Sequence, residues 1–177
     1  AIAQGIPVVF VDTRGTNEGV SFIGTNNQVG AALAAQYMCD NLEAGSDVAI
    51  LQGLISQSTG QQRAQGAHDG LTECGLNIVA EQPANWDRAM GLSVAETILA
   101  GNPNIKGIFA SNDNMALGAV EALKQAAMLE SVMVVGFDAN PDAANSIIAG
   151  EMTASIAQAP DNMGRFGIES LIALNNG

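Results

Sequence analysis

Short apolar runs alternate along this chain with longer stretches whose apolar positions recur every third or fourth residue. The first kind predicts buried strands and the second amphipathic helices. Ile6–Val11 reads as a strand, Ser21–Gly24 as a short extended piece, and Asn27–Leu42 as a helix with Val29, Leu33, Ala34, Tyr37, Met38 and Leu42 on one apolar face. Asp47–Leu51 is the next strand, and after a loop of glycine, serine and glutamine a helix covers Gly60–Cys74. Asn77–Glu81 is a strand, followed by a helix over Trp86–Ala100 that Gly101-Asn-Pro stops. Lys106–Ala110 leads into a helix over Asp113–Ala126, with Asn112 suited to cap it. Val132–Phe137 precedes a helix over Asp142–Ala149, and Thr153–Ala157 and Asn162–Leu174 close the series as strand and helix.

Strands separated by helices imply βαβ crossovers and a parallel sheet. The fold class is therefore α/β, a doubly wound parallel sheet, with no internal repeat, linker tract or low-complexity segment. Val132, Met133, Val134 and Val135 form an apolar run suited to a strand covered on both faces. Gly136 then frees the backbone, and Phe137 and Asp138 stand at the strand's carboxyl end, the edge where open α/β sheets bind ligands. An aromatic face beside a carboxylate suits a small, neutral, hydroxyl-rich ligand: the ring covers C–H groups and the carboxylate accepts from hydroxyls.

The same edge gathers polar groups from the other strands. Asp12 follows the first strand; Ser56, Ser58 and Thr59 follow Asp47–Leu51, with Arg63 in the first turn of the next helix. Trp86, Asp87 and Arg88 follow Asn77–Glu81, Asn112 and Asp113 follow Lys106–Ala110, and Gln158 follows Thr153–Ala157. Taken singly, each has a plainer explanation in a cap, a turn or a solvated surface. Together they make six polar loops on one sheet edge, which no single cap or turn explains. Arg63 also sits where a helix dipole disfavours a cation, so its fork is expected to serve an acceptor such as a ring oxygen or a carboxylate. Trp86, the only tryptophan, lies in a polar Asn-Trp-Asp-Arg stretch that suits a ligand platform.

Composition narrows the function. A formal charge of −12, with only six Lys and Arg, excludes nucleic acid as a partner. The 47% hydrophobic content and 20 glycines are ordinary for an α/β domain. No apolar stretch approaches the roughly 18 residues of a membrane-spanning helix, so the chain is not expected to be membrane-embedded. No phosphate loop, dinucleotide fingerprint, metal-ligand cluster or catalytic triad is present, and His68 lies alone mid-helix. No cofactor, metal or enzymatic activity is expected. Cys39 and Cys74 fit no metal spacing; near helix ends they read either as small buried residues or as a disulfide, which needs an oxidising compartment and Cα atoms within about 7 Å.

With those loops in view, the chain resembles the periplasmic sugar-binding proteins of the ribose-binding type. The pieces that carry the resemblance are IPVVFVD (6–12), FIGTNNQVG (22–30), QQRAQG (61–66), QPANWDRAMGLSV (82–94), FASNDNMALGAVEAL (109–123), VVGFDANPD (134–142) and TASIAQAPDNMG (153–164), in this order. The resemblance implies two α/β lobes joined by a hinge and closing on one monosaccharide or polyol, a ribose-like pentose first. Asp12, Arg63, Asn112, Phe137, Asp138 and Gln158 would contact the ligand, Trp86 would stack on it, and Thr25 would lie at the interlobe crossing. Ribose binders usually have Asp-Arg where this chain has Asp12 followed by Thr13, which leaves other pentoses, hexoses and polyols open.

The resemblance further implies a periplasmic protein, or one lipid-anchored outside a single-membrane cell, that delivers its ligand to an ABC-type permease, in a family of which some members also signal to chemoreceptors. Residues 1–25 would be the last strand of the first lobe and a hinge crossing, 26–157 the second lobe, and 158–177 the second crossing with the helix that returns. The rest of the first lobe would precede Ala1 and the last crossing would follow Gly177, so the chain is expected to be a fragment with Ile6–Val11 as an uncovered sheet edge. The effector domain of a lac-repressor-like regulator is the competing reading. LEAGSDVAIL and AAMLESVMVVGFD lack the Gly-His and Val-Pro features that such regulators usually carry.

Overall fold

Side-chain caps mark the start of most helices and fix where the chain turns from strand to helix. The structure, a computed structural model, describes residues 1–176. After a 3-10 turn at Ile2–Gln4 come β1 (Val9–Val11), β2 (Ser21–Ile23), α1 (Asn27–Asn41), β3 (Asp47–Gln52), α2 (Ser58–Glu73), β4 (Asn77–Pro83) and α3 (Arg88–Gly101). Then follow β5 (Gly107–Ala110), α4 (Asp113–Gln125), β6 (Met133–Asp138), α5 (Pro141–Ile148), β7 (Ala154–Ala157) and α6 (Pro160–Asn176). Asn26, Asp87, Asn112 and Asn140 each accept a backbone N–H at the head of the following helix, the side-chain capping that fixes where α1, α3, α4 and α5 begin.

The expected doubly wound α/β sheet is present. Five parallel strands lie in the order β4-β3-β5-β6-β7, so the chain reverses direction across the sheet between β3 and β5. A crevice opens beyond the carboxyl ends of the strands at such a reversal. Alternation along β3 sends Val48 and Ile50 into one core and Ala49 and Leu51 into the other. The first core lies under α1 and α2, the second under α3 and α4. β1 and β2 form a separate parallel pair on which α6 packs, and Gly167 of α6 lets that helix close on Val11.

Several sequence expectations need correction. Val29, Leu33 and Tyr37 are not on the buried face of α1; they are 53%, 59% and 41% exposed. Ala34 and Met38 are buried as expected, and Ala31 and Ala35 complete the buried face, because α1 and α2 approach too closely for larger side chains along most of their contact. Gly66 and Gly70 of α2 make that approach possible: a Cβ on either would run into Gln28 or Ala35 of α1. Trp86 is outside α3, in a loop where both Asn85 and Trp86 have positive φ. Of the predicted strand Ile6–Val11 only Val9–Val11 pairs, along one edge with β2. The helix expected from Gly60 begins at Ser58, which moves Arg63 out of the first turn and beyond the reach of the N-terminal dipole.

The pairing of the cysteines, open in the sequence, is settled by the fold. Cys39 and Cys74 are bonded to one another across the carboxyl ends of α1 and α2, with Cα atoms 6.1 Å apart. The close helix contact that excludes large side chains brings these two positions into bonding range. The bond closes a loop of 35 residues. Chain-entropy reasoning gives such a crosslink about 2–4 kcal/mol of stability. Reduction, or Cys39→Ser with Cys74→Ser, is expected to lower the free energy of unfolding by that amount in chemical denaturation; equal midpoints with and without reductant would contradict it.

Candidate ligand-binding site

A cleft of about 360 Å³ lies beyond the carboxyl ends of β3, β5, β6 and β7, within the roughly 300–1,000 Å³ range of small-molecule sites. Asp12, Arg63, Trp86, Asn112, Asp138 and Gln158 all line it, as expected from their loops. Phe137 does not. Its ring is fully buried, and Gly30 of α1 packs against it. The reason is the pleat: Phe137 and Asp138 point to opposite sides of β6, so only one of the pair can face the cleft.

Arg63 forms the floor and is 4% exposed. Nε donates to Asn27 Oδ1 at 2.8 Å, and Nη1 donates to the Ser111 carbonyl and to Asp138 Oδ1, both at 2.9 Å. The guanidinium lies 3.8 Å from the Phe137 ring centroid and 5.6 Å from that of Trp86. Phe137 is therefore the platform for the arginine and not for a ligand. Burying a guanidinium is tolerable only where its donors find acceptors, and three partners on three different elements take the Nε donor and the two Nη1 donors.

Asp138 collects two donors on one oxygen: Oδ1 takes Arg63 and, at 2.6 Å, Gln158 Nε2. No side chain or backbone group among the described residues donates to Oδ2, and the side chain is 32% exposed. Its carboxyl is pushed above the ordinary aspartate range, because burial outweighs the opposing charge and hydrogen bond of Arg63. Gln158 is fixed at its other end, where Oε1 accepts from Thr25 Oγ1 at 2.6 Å.

Trp86 lies flat over Gly53, where any side chain would collide with the indole, and its Nε1 donates to Gln57 Oε1 at 2.9 Å. Asn112 caps α4 through Oδ1 and turns its amide nitrogen toward the Trp86 carbonyl at 3.4 Å. On the opposite rim Asp12 has φ 68°, and Thr13 faces Thr59 with hydroxyl oxygens 3.4 Å apart. Gln57, Thr13 and Asn27 were not foreseen as site residues. Gln57 lay in the polar loop after β3, and Thr13 beside Asp12, so adjacency was the available signal. Asn27 carried none, since its role comes only from the fold-back of α1 onto α2. Ser56 and Ser58 do not reach the cleft. His68 pairs with Glu81 at 3.1 Å outside it. Among the described residues no three His, Cys, Asp or Glu side chains gather to hold a metal ion.

A hollow with one aromatic wall and several fixed donors and acceptors suits a polyhydroxylated ring. The periplasmic binding protein domain family matches residues 1–177. The chain belongs to that family. It is 39% identical over 166 residues to the ribose import binding protein RbsB of Escherichia coli (strain K12), covering 93% of this chain and 56% of the relative. A crystal structure of an ABC transporter periplasmic solute binding protein from Actinobacillus succinogenes 130z with bound D-allose is similar, with a TM-score of 0.93, 35% identity and coverage of 99% and 65%. So is the Caulobacter myo-inositol binding protein bound to myo-inositol, with a TM-score of 0.91, 33% identity and coverage of 98% and 61%. These relatives are solute-binding proteins and not enzymes. The chain spans between half and two thirds of the length of each. No described helix is long and apolar enough to cross a membrane.

Two outcomes follow from the geometry of this periplasmic binding protein domain. Arg63→Ala leaves Asn27, the Ser111 carbonyl and Asp138 without their shared donor, and is expected to destabilise the fold by about 3 kcal/mol in urea unfolding; a loss under about 1 kcal/mol would contradict the floor role. Asp113 and Asp138 both hold their protons above the ordinary aspartate range, Asp113 chiefly by burial, which outweighs its Ser155 and Asn140 hydrogen bonds. Their contribution to stability is therefore full below that range and lost as pH rises through the raised values. The melting temperature is expected to climb as pH is lowered from neutral toward the aspartate range. Asp113→Asn should flatten that slope, and an unchanged slope would contradict it.

Proposed function

We propose that the cleft binds a small, neutral, polyhydroxylated ring: a pentose, with ribose first, or a hexose or cyclitol. The observation that carries this reading is the Arg63–Asp138–Gln158 cluster beside Trp86. One carboxylate oxygen is spent on holding the cluster, and the other remains to accept from ligand hydroxyls. Asn112 and Gln57 supply amides at the rim, and the indole supplies an apolar face for the C–H side of a ring. Ribose, allose and myo-inositol in the names of the relatives span the same chemistry. Asp12 and Asp138 face a cleft whose one cation is already paired among the described residues, which disfavours a phosphorylated or carboxylated sugar.

Within a receptor of this family, residues 1–25 are proposed to belong with the first lobe, 26–157 to form the second, and 158–177 to return to the first. The separate β1–β2 pair and the position of Thr25 and Gln158 on the two connecting segments support this division. Ligand-driven closure about those segments would then present the protein to an ABC-type permease, and to a chemoreceptor where one exists. The disulfide supports a periplasmic or outer-surface location, since such bonds persist in oxidising compartments.

Trp86 is the only tryptophan and lines the cleft, so its emission reports occupancy. Titration with D-ribose, D-allose and myo-inositol is expected to change that emission and raise the melting temperature for at least one of them. Ribose 5-phosphate should do neither. Asp138→Ala is expected to weaken the response at least tenfold. A response that Asp138→Ala leaves untouched, or one as strong to the phosphate ester, would overturn the reading.

A further inference from the structure

Asp138 reaches Arg63 from a backbone conformation that an aspartate seldom adopts. Its φ is 113°, and Ala139 follows at 53°. Neither residue is glycine, and such positions are strained and persist only where the surroundings enforce them. The enforcement comes from a carboxylate that is wholly buried beneath the cleft. Ala139 N–H donates to Ser155 Oγ at 3.0 Å, and the Ser155 hydroxyl donates in turn to Asp113 Oδ1 at 2.6 Å. Asn140 N–H donates to Asp113 Oδ2 at 2.7 Å. Both oxygens of Asp113 are thus spent on the loop that follows Asp138, one directly and one through Ser155.

Other features of the fold make sense only if that carboxylate is needed where it is. Gly136 leaves room for it: a Cβ there would stand 2.5 Å from Asp113 Oδ1. Asp113 opens α4, where an acid at the surface would already satisfy the helix dipole. Here it has no exposed surface, and the loss of hydration lifts its proton affinity, a penalty that a dipole interaction alone does not require. Asn140, pinned by the same carboxylate, caps α5 through its side chain to Ala143 N–H at 2.9 Å. The strained pair is therefore clamped on its far side by α4, β7 and the start of α5.

We infer that Asp113 and Ser155 are positioning residues for ligand binding: they hold the Asp138–Ala139 backbone in its strained form, and thereby aim the Asp138 carboxylate at Arg63 and the cleft. The ligand half of this inference rests on the sugar-binding reading above; the backbone half does not. Asp113 touches no cleft surface, so its effect on a ligand must pass through Asp138.

The test uses Ser155→Ala and Asp113→Asn, each alone and combined with Asp138→Ala. Without ligand, amide hydrogen exchange at Ala139 and Asn140 is expected to speed up at least tenfold in Ser155→Ala or Asp113→Asn, while amides of β3 and β5 keep their protection. Affinity for whichever of D-ribose, D-allose or myo-inositol the parent binds is expected to fall about tenfold in either single variant. In the Asp138→Ala background the same substitutions should have no further effect on affinity. Unchanged exchange at Ala139 and Asn140 overturns the clamp. Unchanged affinity in the single variants, or an equal loss with Asp138 already removed, overturns the positioning role even if stability falls. A parent that binds none of the three sugars while the exchange arm responds as expected removes the sugar reading and the ligand role together, and leaves the backbone clamp standing.

Discussion

A buried guanidinium sets the terms for everything at the carboxyl edge of this sheet. Arg63 is cut off from water by α1 and α2, so the hydration it loses has to be replaced by protein acceptors. Asn27 comes from the first turn of α1, the Ser111 carbonyl from the end of β5, and Asp138 from the end of β6. Each partner constrains its element. The close Ala/Gly packing of α1 on α2 places Asn27, and the two-sided burial of β6 puts Phe137 under the guanidinium while Asp138 stands beside it. Remove the cation and these constraints lose their common point. The pair is not a stability device in the simple sense, since burying charges roughly offsets their attraction; its value lies in fixing direction.

Directional demands of this kind also explain where backbone strain collects. Asp12, Asn85, Trp86, Asp138 and Ala139 have positive φ without being glycine, and all lie at or just beyond the carboxyl ends of strands; only Ala127 is elsewhere. Glycine would relieve the strain, but it would leave no carboxylate or indole to present. The cleft is thus the one region where local preference and function disagree, and where the surrounding hydrogen bonds must settle the matter.

That disagreement marks how far the sequence could be read. Strand and helix order followed from periodicity, because β3, β5 and β6 are apolar on both faces and leave little choice of element. The polar loops converged as their place after each strand implied, since parallel βα units force those loops to one edge. What failed depended on distances between elements. Size misled in α1, where Val29, Leu33 and Tyr37 look like core and Ala31 and Ala35 are core. Adjacency misled at Phe137, which shares a motif with Asp138 but faces the opposite side of the sheet. The Cys39–Cys74 bond and the Asn27–Arg63 contact both come from the same helix crossing, whose closeness is encoded by Gly66 and Gly70, residues that carry no side-chain signal.

The cleft's polar cluster does not end at the cleft. Gln158 gives its amide nitrogen to Asp138 and takes the Thr25 hydroxyl on its oxygen, so one planar side chain joins a carboxylate of the cleft to both connecting segments. An amide cannot rotate about its own axis to improve one bond without disturbing the other, because donor and acceptor are fixed at opposite corners of a plane. Any ligand that pulls on Asp138 therefore acts on the relative placement of the β2–α1 and β7–α6 connections. Thr13 and Thr59 add a second, weaker link across the mouth, between the segment after β1 and the first turn of α2. With one tie behind the cleft and one across its front, a ligand of the proposed kind would shift the geometry of the connecting segments only as far as it bound one arrangement better than the other.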